Sequence, residues 1–368
     1  MQARTPAIVA IGTAVPAARL AQTAARDLIG AQPGLTPLGR RLVRTAFDAS
    51  AIDARHVVLD ELVDGSESPF LDAATGELRS PGTGVRNARF VERAPALALE
   101  AAAAAITEAG LDASEVTHVV TASCTGFFAP GLDHVLVRDL GLPVQTPRLA
   151  IGFMGCYAAF PALRAADAIC RAEPDAVVLV VCVELCSLHL RSSSDPDTIV
   201  ASSVFADGAG AALVTARPGS RGLRIDALAS TIAPSSEEEM AWTIGDEGFE
   251  MVLSGAVPRL VGANVVEAIE PLMRAREAAA WPAVAGWAIH PGGRAILDTV
   301  QSTLELDDAQ LDSSRAVLAE RGNMSSATVL HILERELRTR RDGEQVCAMA
   351  FGPGLTMESA LLTMQGVG

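Results

Sequence analysis

The run AVVLVVCVE at 176–184 constrains the fold more than any other stretch of the chain. It offers no polar face for water, so as a strand it must be covered on both sides. That is the position of a central strand in a parallel or mixed sheet with helices on both faces. The surrounding pattern keeps the same rhythm. Residues 7–12 read as a buried strand, and 17–50 as two helices broken at 33–37. The stretch 60–90 is polar and glycine-rich and reads as surface loop. The alanine-rich segment 93–110 reads as a helix stopped by Gly110. A strand is predicted at 116–122, a helix near 131–140, and a strand at 148–152. A helix that ends near Glu173 then leads to the central run. After 217–222 the pattern restarts, with a strand at 223–229 and a helix at 257–279. A strand at 284–289 follows, then helices from 293 and at 325–341. Strands at 345–351 and 357–364, split by GPGLT, close the chain. Alternation of strand and helix defines an α/β class with a partly parallel sheet. The order of elements hints at two related halves, although no sequence repeat links them.

Bulk properties narrow the chemistry. The 368 residues suffice for two medium domains or one large duplicated one. A net charge of −15 and a pI near 4.9 disfavour nucleic acid or an anionic membrane as partner. No lysine occurs, so all 29 basic side chains are arginine. This excludes a lysine Schiff base and a Walker-type phosphate loop. The six cysteines are dispersed, with neither a disulfide framework nor a zinc spacing, which predicts a reducing, cytoplasmic home and no metal. The apolar run IVAIGTAV is too short for a signal peptide, and no run of about 18 apolar residues predicts a membrane span.

Three places could carry chemistry together. Cys156, in GFMGCYAAF, lies just after a glycine-rich turn and just before a helix-compatible run. Unpaired N–H groups and the helix dipole at such a start favour a thiolate, the nucleophilic form. Alone, a free cysteine is more often a small buried hydrophobe. His290, in GWAIHPGG, ends a short strand, where α/β proteins present residues to ligands. Asn323, in ERGNMSSATVL, taken alone is a helix cap. Together they suit acyl transfer by a thiolate, with a histidine to pair with it and two donors for an oxyanion.

These motifs, with VFADGAGAALV at 204–214, WAIHPGGRAILD at 287–298 and FGPGLTMES at 351–359, resemble the type III polyketide synthases. These are the chalcone-synthase-like homodimers of the thiolase superfamily, and the bacterial type is the one the chain is expected to resemble. The likeness runs from residue 10 to residue 359. It implies a duplicated thiolase-like α/β fold with a layered αβαβα core and mixed sheets. Residues 1–217 would form the half with the nucleophile, and 222–368 the half with His290 and Asn323. Ketoacyl synthases of fatty-acid initiation are less similar, since they carry His-Gln-Ala-Asn where this chain has His290-Pro291-Gly292-Gly293.

The resemblance implies roles residue by residue. Cys156 matches the nucleophile that carries the acyl chain. His290 and Asn323 match its partner and the donors to the malonyl thioester carbonyl. Phe205 matches the aromatic gatekeeper, and Gly352 and Pro353 match the loop that shapes the cyclisation cavity. Cys124, Thr125, Cys186, His189, Ala201, Phe249 and Ser325 fall at cavity-wall positions. Small Cys124, Ala201 and Ser325 imply room for an alkyl chain, while His189 would narrow or polarise one side. Arg44, from the cluster Arg40, Arg41 and Arg44, would hold coenzyme A phosphates, with Gly292 and Gly293 offering backbone donors. Ala129-Pro130 matches the segment that crosses a homodimer interface.

The implied reaction uses acyl-CoA and malonyl-CoA as substrates and no cofactor. A fatty acyl starter giving an alkylresorcinol or alkylpyrone leads, followed by a malonyl-primed aromatic product. The rivals are a ketoacyl-synthase-III-like single condensation and a non-catalytic scaffold homologue. Starter, number of extensions and cyclisation mode are not legible in the sequence.

Overall fold

The computed structural model describes residues 4–234, 236–275 and 281–366. The strands are β1 Ala7–Ala14, β2 Arg19–Ala21, β3 Ala54–His56, β4 His118–Ser123, β5 Arg148–Gly152, β6 Val177–Leu185 and β7 Asp207–Thr215. They continue as β8 Gly222–Ile232, β9 Met240–Gly245, β10 Gly248–Leu253, β11 Gly286–Ile289, β12 Gln345–Gly352 and β13 Thr356–Gln365. The helices are α1 Gln22–Gly30, α2 Pro37–Ala49, α3 Glu61–Asp64, α4 Thr83–Glu108, α5 Leu132–Asp139 and α6 Ala159–Ala172. The rest are α7 Pro196–Val204, α8 Val257–Ala275, α9 Arg294–Leu304, α10 Asp312–Arg321 and α11 Thr328–Thr339.

Nine strands hydrogen-bond in the order β11-β12-β13-β8-β1-β7-β6-β4-β5. The run that opened the sequence analysis is β6, flanked by β4 and β7. Its side chains alternate between two cores, as a strand's period of two dictates. Val178, Val180 and Cys182 point into one, and Val177, Leu179, Val181 and Val183 into the other.

The sheet repeats itself. β7 is antiparallel to both β1 and β6, and β6 is parallel to β4. In the second half β13 is antiparallel to both β8 and β12, and β12 is parallel to β11. A short antiparallel pairing of β1 with β8 joins the halves. Helices α6 and α11 hold corresponding places and share one buried cluster between the half-sheets. Helices α1, α2, α4 and α5 cover the outer face of the first half, and α8 and α9 that of the second. The result is an αβαβα sandwich.

The duplication places the chemistry. Cys156 sits in a 3-10 turn, Gly155–Tyr157, just ahead of α6. Asn323 stands just ahead of the 3-10 turn Ser325–Ala327 that leads into α11. The two turns touch, and each packs on a strand of the other half: the first on β12, the second on β6.

One expectation is corrected. The stretch 60–90 is not all loop, because it holds α3 and the first turns of α4. Buried Arg86 anchors those turns by donating to the Pro81, Leu188 and Leu190 carbonyls. The segments that form α7, β7, the β9–β10 hairpin and α10 had not been read as separate elements. Of the helix expected at 257–279, residues 276–279 lie outside the described residues. Among the described residues no helix is long and apolar enough to cross a membrane.

Candidate active site

The two turns that introduce α6 and α11, the end of β11 and the end of α7 enclose one cavity of about 240 Å³. Cys156, His290 and Asn323 all line it, with Phe205, Gly292 and Gly293. Residues predicted from opposite halves of the chain thus meet at one place.

His290 follows β11 and is fully buried. Its backbone continues the sheet, with N–H donating to the Met349 carbonyl at 2.8 Å. Neither ring nitrogen has a hydrogen-bond partner among the described residues. Burial alone pushes the imidazole down to about 3, so the ring is neutral and keeps one donor and one acceptor. Leaving such groups unpaired costs about 1–3 kcal/mol, a cost typical of a site awaiting its partner.

Asn323 is held at both ends. Its Oδ1 accepts from the Ser325 N–H at 2.8 Å, so Nδ2 is the donor end; Nδ2 donates to the Gly292 carbonyl at 3.4 Å. Its backbone pairs with the end of α7, with Asn323 N–H donating to Val204 at 2.9 Å and Ala206 N–H to Asn323 at 2.8 Å.

Cys156 departs from the sequence reading in its charge. Burial pushes the thiol up to about 12, the nearby Glu184 carboxylate adds to this, and hydrogen bonds from Ser325 and Asn323 act against it. The dipole of a helix start does not overcome desolvation here. Burial thus opposes the charged form of each group, the thiolate of Cys156 and the imidazolium of His290 alike.

Glu184, at the end of β6, is fully buried with no cationic partner among the described residues. It accepts from Cys124 N–H at 3.0 Å, Cys124 Sγ at 3.3 Å, Thr125 Oγ1 at 2.8 Å and Ser326 Oγ. Burial raises its pKa and these donors oppose the rise. The sequence reading assigned Glu184 no role.

The remaining predicted residues separate into groups. Cys124, Thr125, Cys186, Ser325 and Pro353 line a small cleft beside Cys156, of about 10 Å³. Cys186, His189, Ala201 and Phe249 line another, apolar chamber of about 60 Å³ under α1, α2 and α7. His189 is spent on structure: Nε2–H donates to the Thr125 carbonyl at 2.8 Å and Nδ1 accepts from Phe249 N–H at 3.0 Å. Its ring stacks on Phe249 at 4.4 Å. Burial holds it neutral, with its pKa down to about 4. Gly352 faces the nucleophile's turn, since a Cβ there would meet Tyr157 Cδ1 at 2.5 Å. Arg44 is exposed on α2 and lines none of these spaces.

Phe205 and Met251 border all three spaces. Met251 had not been singled out. The inward face of β10 runs Phe249, Met251, Leu253, from the apolar chamber to the catalytic cavity. The sequence reading had stopped at Phe249, one inward position too early.

A cysteine, a histidine and an asparagine brought together by a duplicated αβαβα core define a condensing acyltransferase. Comparison with known proteins agrees. Residues 1–218 match the chalcone and stilbene synthase N-terminal domain, and residues 224–366 the C-terminal domain. The chain belongs to the chalcone and stilbene synthase family, the type III polyketide synthases. It is 29% identical over 362 residues to a probable polyketide synthase 1 of Dictyostelium discoideum, covering 96% of this chain and 11% of the relative. The chain therefore spans about a tenth of that relative's length. The crystal structure of the C-terminal type III polyketide synthase domain of Steely1, a type I/III hybrid from Dictyostelium, superposes with TM-score 0.90. The sequences are 27% identical, and the match covers 98% of this chain and 99% of that one. PKS-I from the brown alga Ectocarpus siliculosus gives TM-score 0.90 at 29% identity over 99% of both chains. These relatives are eukaryotic, so the expected bacterial affinity finds no support in them.

Proposed function

We propose that the chain loads an acyl group from coenzyme A onto Cys156 and extends it with malonyl-CoA before cyclisation. The observation that carries this reading is the fully buried His290 ring, unpartnered at both nitrogens, on the cavity that also holds Cys156 and Asn323. The Cys156 Sγ–H proton passes to the free His290 ring nitrogen as sulfur attacks the thioester carbon. Collapse of the adduct expels coenzyme A thiolate, which takes that proton back. The protein is left acylated and His290 neutral.

Neutral His290 then serves the second step. Its N–H and Asn323 Nδ2–H donate to the malonyl thioester oxygen and stabilise the enolate formed as carbon dioxide leaves. The enolate carbon attacks the acyl carbonyl on Cys156, and the cysteine sulfur departs. The longer chain returns to Cys156 for the next round. Gly292 and Gly293, on the cavity wall, leave the approach open. Coenzyme A thioesters are the substrates and no other cofactor takes part.

The apolar chamber beyond Phe205, walled by Leu28, Ile29 and Phe47, favours an alkyl starter, and with it an alkylresorcinol or alkylpyrone product. The halves 1–217 and 222–368 act as one unit, since the site needs both. A second copy pairs along β5, an edge strand bonded only to β4 whose Leu149 is 45% exposed beside exposed Phe127 and Ala129-Pro130. The homodimer works in the cytoplasm.

Incubation with a panel of acyl-CoAs plus malonyl-CoA, with mass spectrometry of the products, tests the reading. Cyclised products two or more malonyl units longer than the starter support it. A single extension supports the ketoacyl-synthase reading, and no turnover with any starter supports a scaffold.

A further inference from the structure

Arg55 is an arginine in an unusual place. It lies on β3, is 4% exposed, and has no carboxylate within salt-bridge distance among the described residues. Its guanidinium is spent on neutral oxygens. Nη1 donates to the Ser202 carbonyl at 2.7 Å and the Phe205 carbonyl at 2.8 Å. Nη2 donates to the Ser203 carbonyl at 2.6 Å and to Gln22 Oε1. These backbone oxygens belong to the last turn and cap of α7, the negative end of that helix. Gln22 supports the same point from α1, with Nε2 donating to the Ser203 carbonyl and to Ser50 Oγ, both at 2.8 Å. Asp207 attracts the guanidinium without touching it, and burying a charge with no carboxylate in contact is costly unless its hydrogen bonds define something.

What they define is the gate. Phe205 stands at the junction of the three spaces around Cys156. Its backbone also forms a bridge with Asn323, flanked by the hydrogen bonds of Asn323 with Val204 and Ala206. The guanidinium is therefore one hydrogen bond from the Phe205 backbone and two from that of Asn323.

We propose that Arg55 is the positioning residue of the site, setting both the stance of the Phe205 gate and the depth of the Asn323 donor. This rests on the function proposed above, in which Phe205 meets the acyl chain and Asn323 the malonyl carbonyl. A lysine cannot replace it: one ammonium cannot reach three carbonyls and an amide oxygen in the geometry of a planar fork.

The test compares Arg55→Lys with the parent enzyme in three measurements. One is alkylation of Cys156 by iodoacetamide and by N-phenylmaleimide, read by peptide mass spectrometry without any substrate. The second is malonyl-CoA decarboxylation, with kcat and KM resolved. The third is the thermal midpoint. The proposal expects the ratio of bulky to small alkylation at Cys156 to change several-fold. It expects kcat for decarboxylation to fall roughly 10- to 100-fold with KM near the parent value, the cost of a donor displaced by a fraction of an ångström to one ångström. A lower midpoint with alkylation ratio and kcat unchanged shows a merely structural clamp and overturns it. If Arg55→Lys does not fold, Gln22→Leu carries the same test, because it removes one acceptor and one Ser203 donor and keeps the charge; an unchanged ratio and kcat there overturn the proposal too. Failure of the functional reading looks different: the parent enzyme itself would neither decarboxylate malonyl-CoA nor form product, while the alkylation ratio would still report on the gate.

Discussion

Gly155 and Pro353 fill the same space from opposite halves of the chain. A Cβ on Gly155 would lie 2.5 Å from Pro353 Cδ, and Gly155 has a φ of +75°. Gly352, next to Pro353, meets Tyr157, two residues after Gly155, just as closely: a Cβ there would lie 2.5 Å from Tyr157 Cδ1. The GFMGCY turn and the FGPGL turn are thus interlocked, and the second braces the backbone that carries Cys156. Gly155→Ala meets both a left-handed backbone and an overpacked contact. We expect a loss of about 2–4 kcal/mol in urea unfolding. A loss under about 0.5 kcal/mol would show that the two turns are not packed this way.

The charge state of Cys156 fixes how the free enzyme meets an alkylating agent. With the thiol pushed up to about 12 and His290 down to about 3, burial favours the neutral form of both. Iodoacetamide labelling of Cys156 should therefore keep rising with pH into the alkaline range, without a plateau. A plateau reached below about pH 7 would instead reveal a preformed thiolate–imidazolium pair. Glu184 contributes to the raised value through its negative charge. Glu184→Gln removes that charge, so labelling at a given alkaline pH should become faster; slower or equal labelling would contradict the assignment.

Met251 lines the same three spaces as Phe205. Met251→Phe puts a stiff ring where a flexible thioether now lies. The product profile should shift to shorter acyl starters, with stability changed by less than about 1.5 kcal/mol. An unaltered chain-length profile, read by mass spectrometry, would remove Met251 from the gate.

Much of this arrangement was legible before the fold was seen, and the reasons are local. β6 declared itself because both its faces are apolar. Cys156, His290 and Asn323 stood out because each follows an element end and opens onto a turn or helix. Other features depend on contacts between distant segments. The first turns of α4 looked like loop because their anchor is Arg86, a charged residue that turns inward. The β9–β10 hairpin alternates exposed and inward residues on a short, mixed sequence, so Met251 could not be told from Phe249. The environment of the Cys156 thiol was hidden for a related reason. A helix start is visible in sequence, but the burial that opposes the thiolate comes only with the folded cavity. Arg55 gave no signal at all, since its partners are three backbone carbonyls 147 to 150 residues away and the amide oxygen of Gln22, 33 residues away.

The central claim is that Cys156 carries the acyl chain, and one measurement addresses it directly. The protein is mixed with an acyl-CoA alone, quenched in acid and digested, and the cysteine peptides are weighed. We predict one acyl increment on the peptide containing Cys156, its absence in Cys156→Ala, and malonyl-CoA decarboxylation that persists in that variant while product formation stops. An acyl group on Cys124 or Cys186 in place of Cys156, or full product formation by Cys156→Ala, would contradict the account.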